Sequence, residues 1–117
     1  MAIRIEIRKS GGECIIISFH TNPERFSSDY ERIAFFRKLH GWKQTVPRNG
    51  KNYEYRRNGL LDSVPHEKIA DSVFLVAKEH MRIMEEFFRE WEEKVDYDIM
   101  DVVLKARRQG HNKRSNI

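Results

Sequence analysis

An α+β fold is predicted from three observations: a period-two apolar run at the N terminus, an Asn-Gly turn between two strand-like segments, and helical spacing of apolar residues on both sides of that ribbon. The implied order is that of a ferredoxin-like two-layer sandwich, an antiparallel sheet with two helices on one face. Two additions to that plan are expected, an extra N-terminal strand and an inserted basic β-hairpin.

Ile3, Ile5 and Ile7 alternate with Arg4, Glu6 and Arg8, which puts isoleucine on one face of a strand and charge on the other. Ser10-Gly11-Gly12 offers positive φ for a tight reversal, and Cys14 to Phe19 reads as a more fully buried strand, so the two make a first hairpin. After a loop from Thr21 to Phe26, Ser27 or Ser28 caps a helix with Asp29 and Glu31 in its first turn. Ile33, Phe36 and Leu39 form its apolar stripe, and Gly41 ends it.

Trp42 to Arg57 contains Asn49-Gly50, the strongest short-range hairpin signal, because both residues tolerate the positive φ of a type I′ turn. This turn pairs Val46 with Tyr53, Gln44 with Tyr55 and Trp42 with Arg57, while Lys43 and Arg56 share the other face. Pro47 suits an exposed edge or arm tip. Further on, Ser72 to Ala77 reads as a strand, Lys78 to Val95 as a helix and Ile99 to Leu104 as a closing strand with Met100, Val102 and Leu104 on one face. The competing reading is one helix from Pro65 to Asp96 packed on a small sheet. At about 1.5 Å per residue that helix would run roughly 48 Å, longer than a small domain usually needs.

The 117 residues suit a single α+β domain over residues 1–104, followed by a basic, disordered tail over 105–117. Hydrophobic content of 39% beside 34% charged residues fits a folded body. The single cysteine, Cys14, excludes an internal disulfide and a multi-cysteine zinc site. No window approaches eighteen apolar residues and no leader pattern opens the chain, so a cytoplasmic protein without membrane contact is expected.

Charge placement carries the functional argument. The net charge is +4, and the tail alone holds Lys105, Arg107, Arg108, Lys113 and Arg114 with no acid. From Arg37 to Arg57 the basic residues are Arg37, Lys38, Lys43, Arg48, Lys51, Arg56 and Arg57, opposed only by Glu54. From Glu85 to Asp101 the balance reverses, with Arg89 and Lys94 as the only cations. A basic ribbon bearing Trp42, Tyr53 and Tyr55 can set cations on phosphates and stack rings on unpaired bases, and a two-stranded ribbon also fits a DNA major groove. The tail cations would clamp phosphates without reading sequence.

The implied function is a nucleic-acid-binding protein, for DNA or RNA, more a binder than an enzyme and without metal or cofactor. Its candidate contacts are Trp42, Lys43, Arg48, Lys51, Tyr53, Tyr55, Arg56, Arg57 and the five tail cations. One alternative is a homo-oligomeric interaction module with charge-complementary surfaces. The wide apolar side of the second helix, Met81, Met84, Phe87, Phe88 and Trp91, points to a homodimer. Another is a metal-independent nuclease in which His20 and His40, at the ends of the second strand and first helix, serve as acid and base.

Other motifs fail on their residues. His66-Glu67 begins like a zinc-protease helix, but Ala70 stands where the second histidine is needed. Glu86, Glu90 and Glu93 share a helix face without histidine partners and read as solvated charge, while His80 reads as a packed or capping residue and His111 belongs to the tail. Gly11-Gly12 lacks the Lys-Ser/Thr of a phosphate-binding loop, and no serine sits in a nucleophile elbow.

Overall fold

The computed structural model describes Ile7 and residues 11–104. The rest of the Ile3–Ile7 stretch and the whole tail from Lys105 lie outside the described residues. In chain order the elements are β1 (Glu13–Thr21), α1 (Asp29–His40), β2 (Trp42–Arg48), β3 (Lys51–Arg57), α2 (Leu60–Ser63), β4 (His66–Ala70), β5 (Val73–Ala77), α3 (Met81–Glu90) and β6 (Val95–Val103). Short 3-10 turns lie at Pro23–Arg25 and Lys78–His80.

Four strands form one sheet in the order β4-β5-β1-β6, antiparallel at every pairing, and β2 with β3 form a separate two-stranded sheet. β5 and β1 are the two interior strands, and both carry apolar residues that are buried on both faces of the sheet. The β1 residues Ile15, Ile17 and Phe19 face the helices, while Cys14 and Ile16 turn to the opposite side. Both edges of β1 are hydrogen-bonded, by β5 and β6, which leaves no edge for the expected N-terminal hairpin partner. Ile7 itself has helical backbone and is fully buried beside Cys14, Leu75 and Ala77. Gly11 and Gly12 do adopt positive φ, 78° and 83°, and Gly12 accepts a backbone hydrogen bond from Leu104 at 2.7 Å.

α1 begins where its cap dictates. The Ser28 hydroxyl accepts from the Glu31 N–H at 3.2 Å, and the Glu31 carboxylate accepts from the Ser27 N–H at 2.7 Å. The buried face matches the predicted one only in part: Leu39 is fully buried and Phe36 packs against the core, but Phe35 is fully buried where Ile33, 42% exposed, was expected. Phe35 wins because its ring meets Phe19, Phe88 and Trp91, with centroid separations of 5.7, 6.2 and 5.2 Å.

The continuous Pro65–Asp96 helix is excluded by β4 and β5, which meet across a turn at Asp71-Ser72. β4 was not anticipated; it is a short, half-exposed edge strand with a bulge between Lys68 and Ala70. α3 stops at Glu90, short of the predicted Val95, and Trp91–Lys94 forms turns closed by Lys94 N–H to Trp91 C=O at 2.9 Å. Glu90, Glu92 and Glu93 concentrate negative charge at the negative end of the helix dipole, which disfavours further turns. β6 consequently starts at Val95 and pairs with the full length of β1, from Thr21↔Val95 to Glu13↔Val103.

The main core lies between the helices and one sheet face. Met84, Phe88 and Trp91 of the α3 side are buried in it, and Met81 and Phe87 pack against it. Of the apolar side that implied a homodimer, Met84, Phe88 and Trp91 are thus taken up by the protein's own core, while Met81 and Phe87 stay partly exposed. A smaller apolar cluster of Ile7, Cys14, Leu75 and Ala77, joined by Ile16, Val102 and Leu104, covers the opposite face of the sheet.

Candidate nucleic-acid interface

The β2–β3 hairpin is the inserted basic ribbon, with the register the turn chemistry predicts: Trp42↔Arg57, Lys43↔Arg56, Gln44↔Tyr55 and Val46↔Tyr53. Asn49 and Gly50 supply φ of 54° and 76°. Neither strand pairs with the main sheet, and every residue of β3 is exposed. An isolated two-stranded ribbon is marginal by itself, so its root must be held by side chains and close backbone packing.

That root is built around Asp62. Its carboxylate accepts from the Gly59 N–H at 2.7 Å and from the Arg56 guanidinium at 2.8 and 3.0 Å, and the same guanidinium donates to the His40 carbonyl at 2.7 Å. The Gly59 N–H first, and Arg56 second, hold the Asp62 carboxyl below the usual carboxylate range. Gly41, at φ 78°, caps α1 and has no room for a side chain: a Cβ there would lie 2.5 Å from the Arg57 carbonyl and 2.6 Å from Asp62 Oδ2. Arg56 is thus an anchor of the arm.

The two faces of the arm differ. On one, Lys43 pairs with Glu54 at 3.4 Å. On the other lie Trp42, Gln44 and Val46 opposite Arg57, Tyr55 and Tyr53. Arg57 Nε donates to Gln44 Oε1 at 2.6 Å, and its guanidinium carbon is 5.7 Å from the Tyr55 ring centroid. Tyr53 and Tyr55 are 42% and 39% exposed. At the tip Arg48 and Lys51 face each other across the turn, both exposed and without an ion pair among the described residues.

In the sequence Arg37 stands out only as charge, whereas in the fold its guanidinium stacks over the Trp42 ring, 3.9 Å from the centroid. The signal was its position, four residues before the helix-ending Gly41 that Trp42 follows. Lys105, Arg107, Arg108, Lys113 and Arg114 lie outside the described residues.

The histidine pair is not assembled. His20 is exposed on β1, on the sheet face away from the helices and opposite Asp96 in register. His40 lies on the helix side, its ring parallel to Phe36 and 5.9 Å from Phe74. Alternation along β1 separates them, because Phe19 faces the core and His20 therefore cannot. His40 instead shares Phe74 with His66, whose ring centroid is 5.8 Å from it. Burial, followed by the nearby charges of Lys68 and His66, pushes the His40 imidazole below its ordinary value.

Among the described residues no group of three His, Cys, Asp or Glu could hold a metal ion. No described helix is long and apolar enough to cross a membrane. No protein-family model matches the chain, and none of the curated proteins or solved structures matches it.

Proposed function

We propose that this protein binds nucleic acid through the β2–β3 arm. The observation that carries the reading is the tip of the arm, where Arg48 and Lys51 are exposed beside no acid, on a ribbon whose aromatic face the main sheet does not cover. Arg57 and Arg37 add cations along that face, and the tail from Lys105 supplies further phosphate contacts. The strand order and the two longer helices on one face support a ferredoxin-like body that carries the arm as an insertion between its first helix and second strand. A nucleic-acid ligand and a sequence with a single cysteine both fit the cytoplasm.

The test is fluorescence anisotropy with labelled DNA and RNA over a salt series, comparing the parent with an Arg48→Ala/Lys51→Ala double variant. The variant binds more weakly, and the slope of log affinity against log salt falls by about one for each cation removed. Unchanged affinity and slope would remove the arm from the binding surface. The exposed acids Glu86, Glu90, Glu92 and Glu93 favour a second reading, in which the arm docks on the acidic surface of another copy. Subunit mass that falls as salt rises, in the absence of nucleic acid, distinguishes it.

A further inference from the structure

We infer that the ligand of this arm is single-stranded, and that its path continues off the arm onto α1 along Tyr30, Ile33 and Arg37. The inference rests on the nucleic-acid reading above and adds to it a strand state and a second contact region.

The α1 surface is unusual for a helix that packs on a core. Tyr30 is 86% exposed and Ile33 is 42% exposed, although both are large apolar side chains. Tyr30, Ile33 and Arg37 stand at positions i, i+3 and i+7, so they share one helix face over about 10 Å. With Ala34 and Lys38 they line a depression of about 310 Å³. This face is continuous with the arm, because the Arg37 guanidinium lies on the Trp42 ring at 3.9 Å, and Trp42 begins the row that continues through Tyr55 and Tyr53. From Trp42 to Val46 the arm adds about 13 Å at about 3.3 Å per residue. Planar groups and cations therefore alternate along one track on two separate elements.

The chemistry of this track suits unpaired bases better than a duplex. Bases in a duplex already stack on one another, so exposed tyrosines and a stacked guanidinium gain little from it, whereas an unpaired base offers a π-face to each of them. A ribbon that reads a major groove needs polar side chains free to meet base edges. Here the amide oxygen of Gln44 is already engaged by Arg57, and Lys43 on the other face is paired with Glu54, whose carboxylate repels phosphate. What remains available is stacking surface, with the Arg37 guanidinium at one end and the two tip cations at the other.

The experiment compares a labelled single-stranded 12-mer with the same sequence as a duplex, using the full chain, Tyr30→Ala, Tyr30→Phe and the Arg48→Ala/Lys51→Ala variant. Tyr30 makes little buried contact, so circular dichroism of its variants matches the parent. The single strand binds at least tenfold more tightly than the duplex. Tyr30→Ala weakens single-strand binding by about 5- to 150-fold, the range for loss of one stacked base, and Tyr30→Phe retains it. Tighter duplex binding would overturn the inference. So would an unchanged affinity in Tyr30→Ala, and if the double variant were weakened in the same series the arm reading would stand alone. Single-strand binding insensitive to both variants would overturn the two readings together.

Discussion

Gly41 and Gly59 touch backbone to backbone at the root of the arm. A Cβ built on Gly59 would overlap the Gly41 amide nitrogen and lie 2.7 Å from both the His40 carbonyl carbon and the Leu39 carbonyl oxygen. The chain leaves the body after α1 and returns to it before α2 through this one crossing, so the orientation of the arm depends on glycine at a position whose φ is an ordinary −104°. The constraint at Gly59 is space, not conformation. Gly59→Ala has only rigid backbone to displace and is expected to cost about 2 to 4 kcal/mol, among the larger single-site effects. Urea unfolding followed by far-UV circular dichroism measures it. A cost below about 0.5 kcal/mol would mean that the two segments part easily.

Arg56 and Arg57 are adjacent in sequence and do different work. Arg56 bridges Asp62 and the His40 carbonyl, while Arg57 lies on the aromatic face with Gln44 and Tyr55. The Asp62 carboxyl is held low by the Gly59 N–H and then by Arg56. A carboxyl with a depressed folded-state pKa contributes stability that is present above its unfolded value, about 3.9, and is lost as pH falls through the lower folded value. The arm root is therefore intact at pH 5 and weakens below about pH 4. Asp62→Asn flattens that part of the stability profile, and a urea midpoint series from pH 2 to pH 6 reads the change. Glu31 is also held low, chiefly by its hydrogen bond with Lys94, so part of the acid dependence persists in the variant.

His40 provides a second pH dependence with a different window. Burial against Phe36 and Phe74 is the main cause of its lowered pKa, with the charges of Lys68 and His66 acting in the same direction and Asp62 opposing them. A histidine that is harder to protonate in the folded state contributes stability above its unfolded value, about 6.5, and that contribution falls away as pH drops through the folded value. Its imidazole is accordingly neutral at pH 7. Two-dimensional NMR of the ring carbons, assigned with His40→Gln, is expected to give a midpoint below 6.5 for this residue. A midpoint above 6.5 would mean that the Asp62 charge outweighs burial.

The arm was legible to the residue because its register is set locally: Asn49-Gly50 fixes the turn, and period-two pairing fixes everything from Arg48↔Lys51 back to Trp42↔Arg57. β5 was legible from its run of strand formers, Val73 to Ala77, although the same residues also fit a helical stripe and the turn at Asp71-Ser72 that decides between them emerges only in the fold. What escaped depended on tertiary placement. His66–Ala70 has no apolar alternation because it is an edge strand, and its existence depends on the partner β5. Sequence proximity pairs β1 with the nearest apolar run, but two strands distant in sequence occupy its edges. His20 and His40 both stand at element ends, but strand alternation puts them on opposite faces of the sheet.

Two apolar stripes compete within Asp29–His40, and spacing alone does not rank them. Ile33, Phe36 and Leu39 give one stripe; Phe35 and Leu39, with Phe36 beside them, give the other. The second is buried because Phe35 reaches the aromatic cluster of Phe19, Phe88 and Trp91, and a fully buried aromatic ring outweighs one isoleucine. Phe35→Ala is therefore expected to cost about 3 to 5 kcal/mol. Ile33→Ala, at a position 42% exposed, is expected to stay within about 1 kcal/mol of the parent, because much of its surface already meets solvent. Guanidinium chloride unfolding of the two variants decides between the stripes, and equal losses would mean that Ile33 is packed as firmly as Phe35. An Ile33 that costs little to remove is also one whose apolar surface remains available to a ligand on the exposed face of α1.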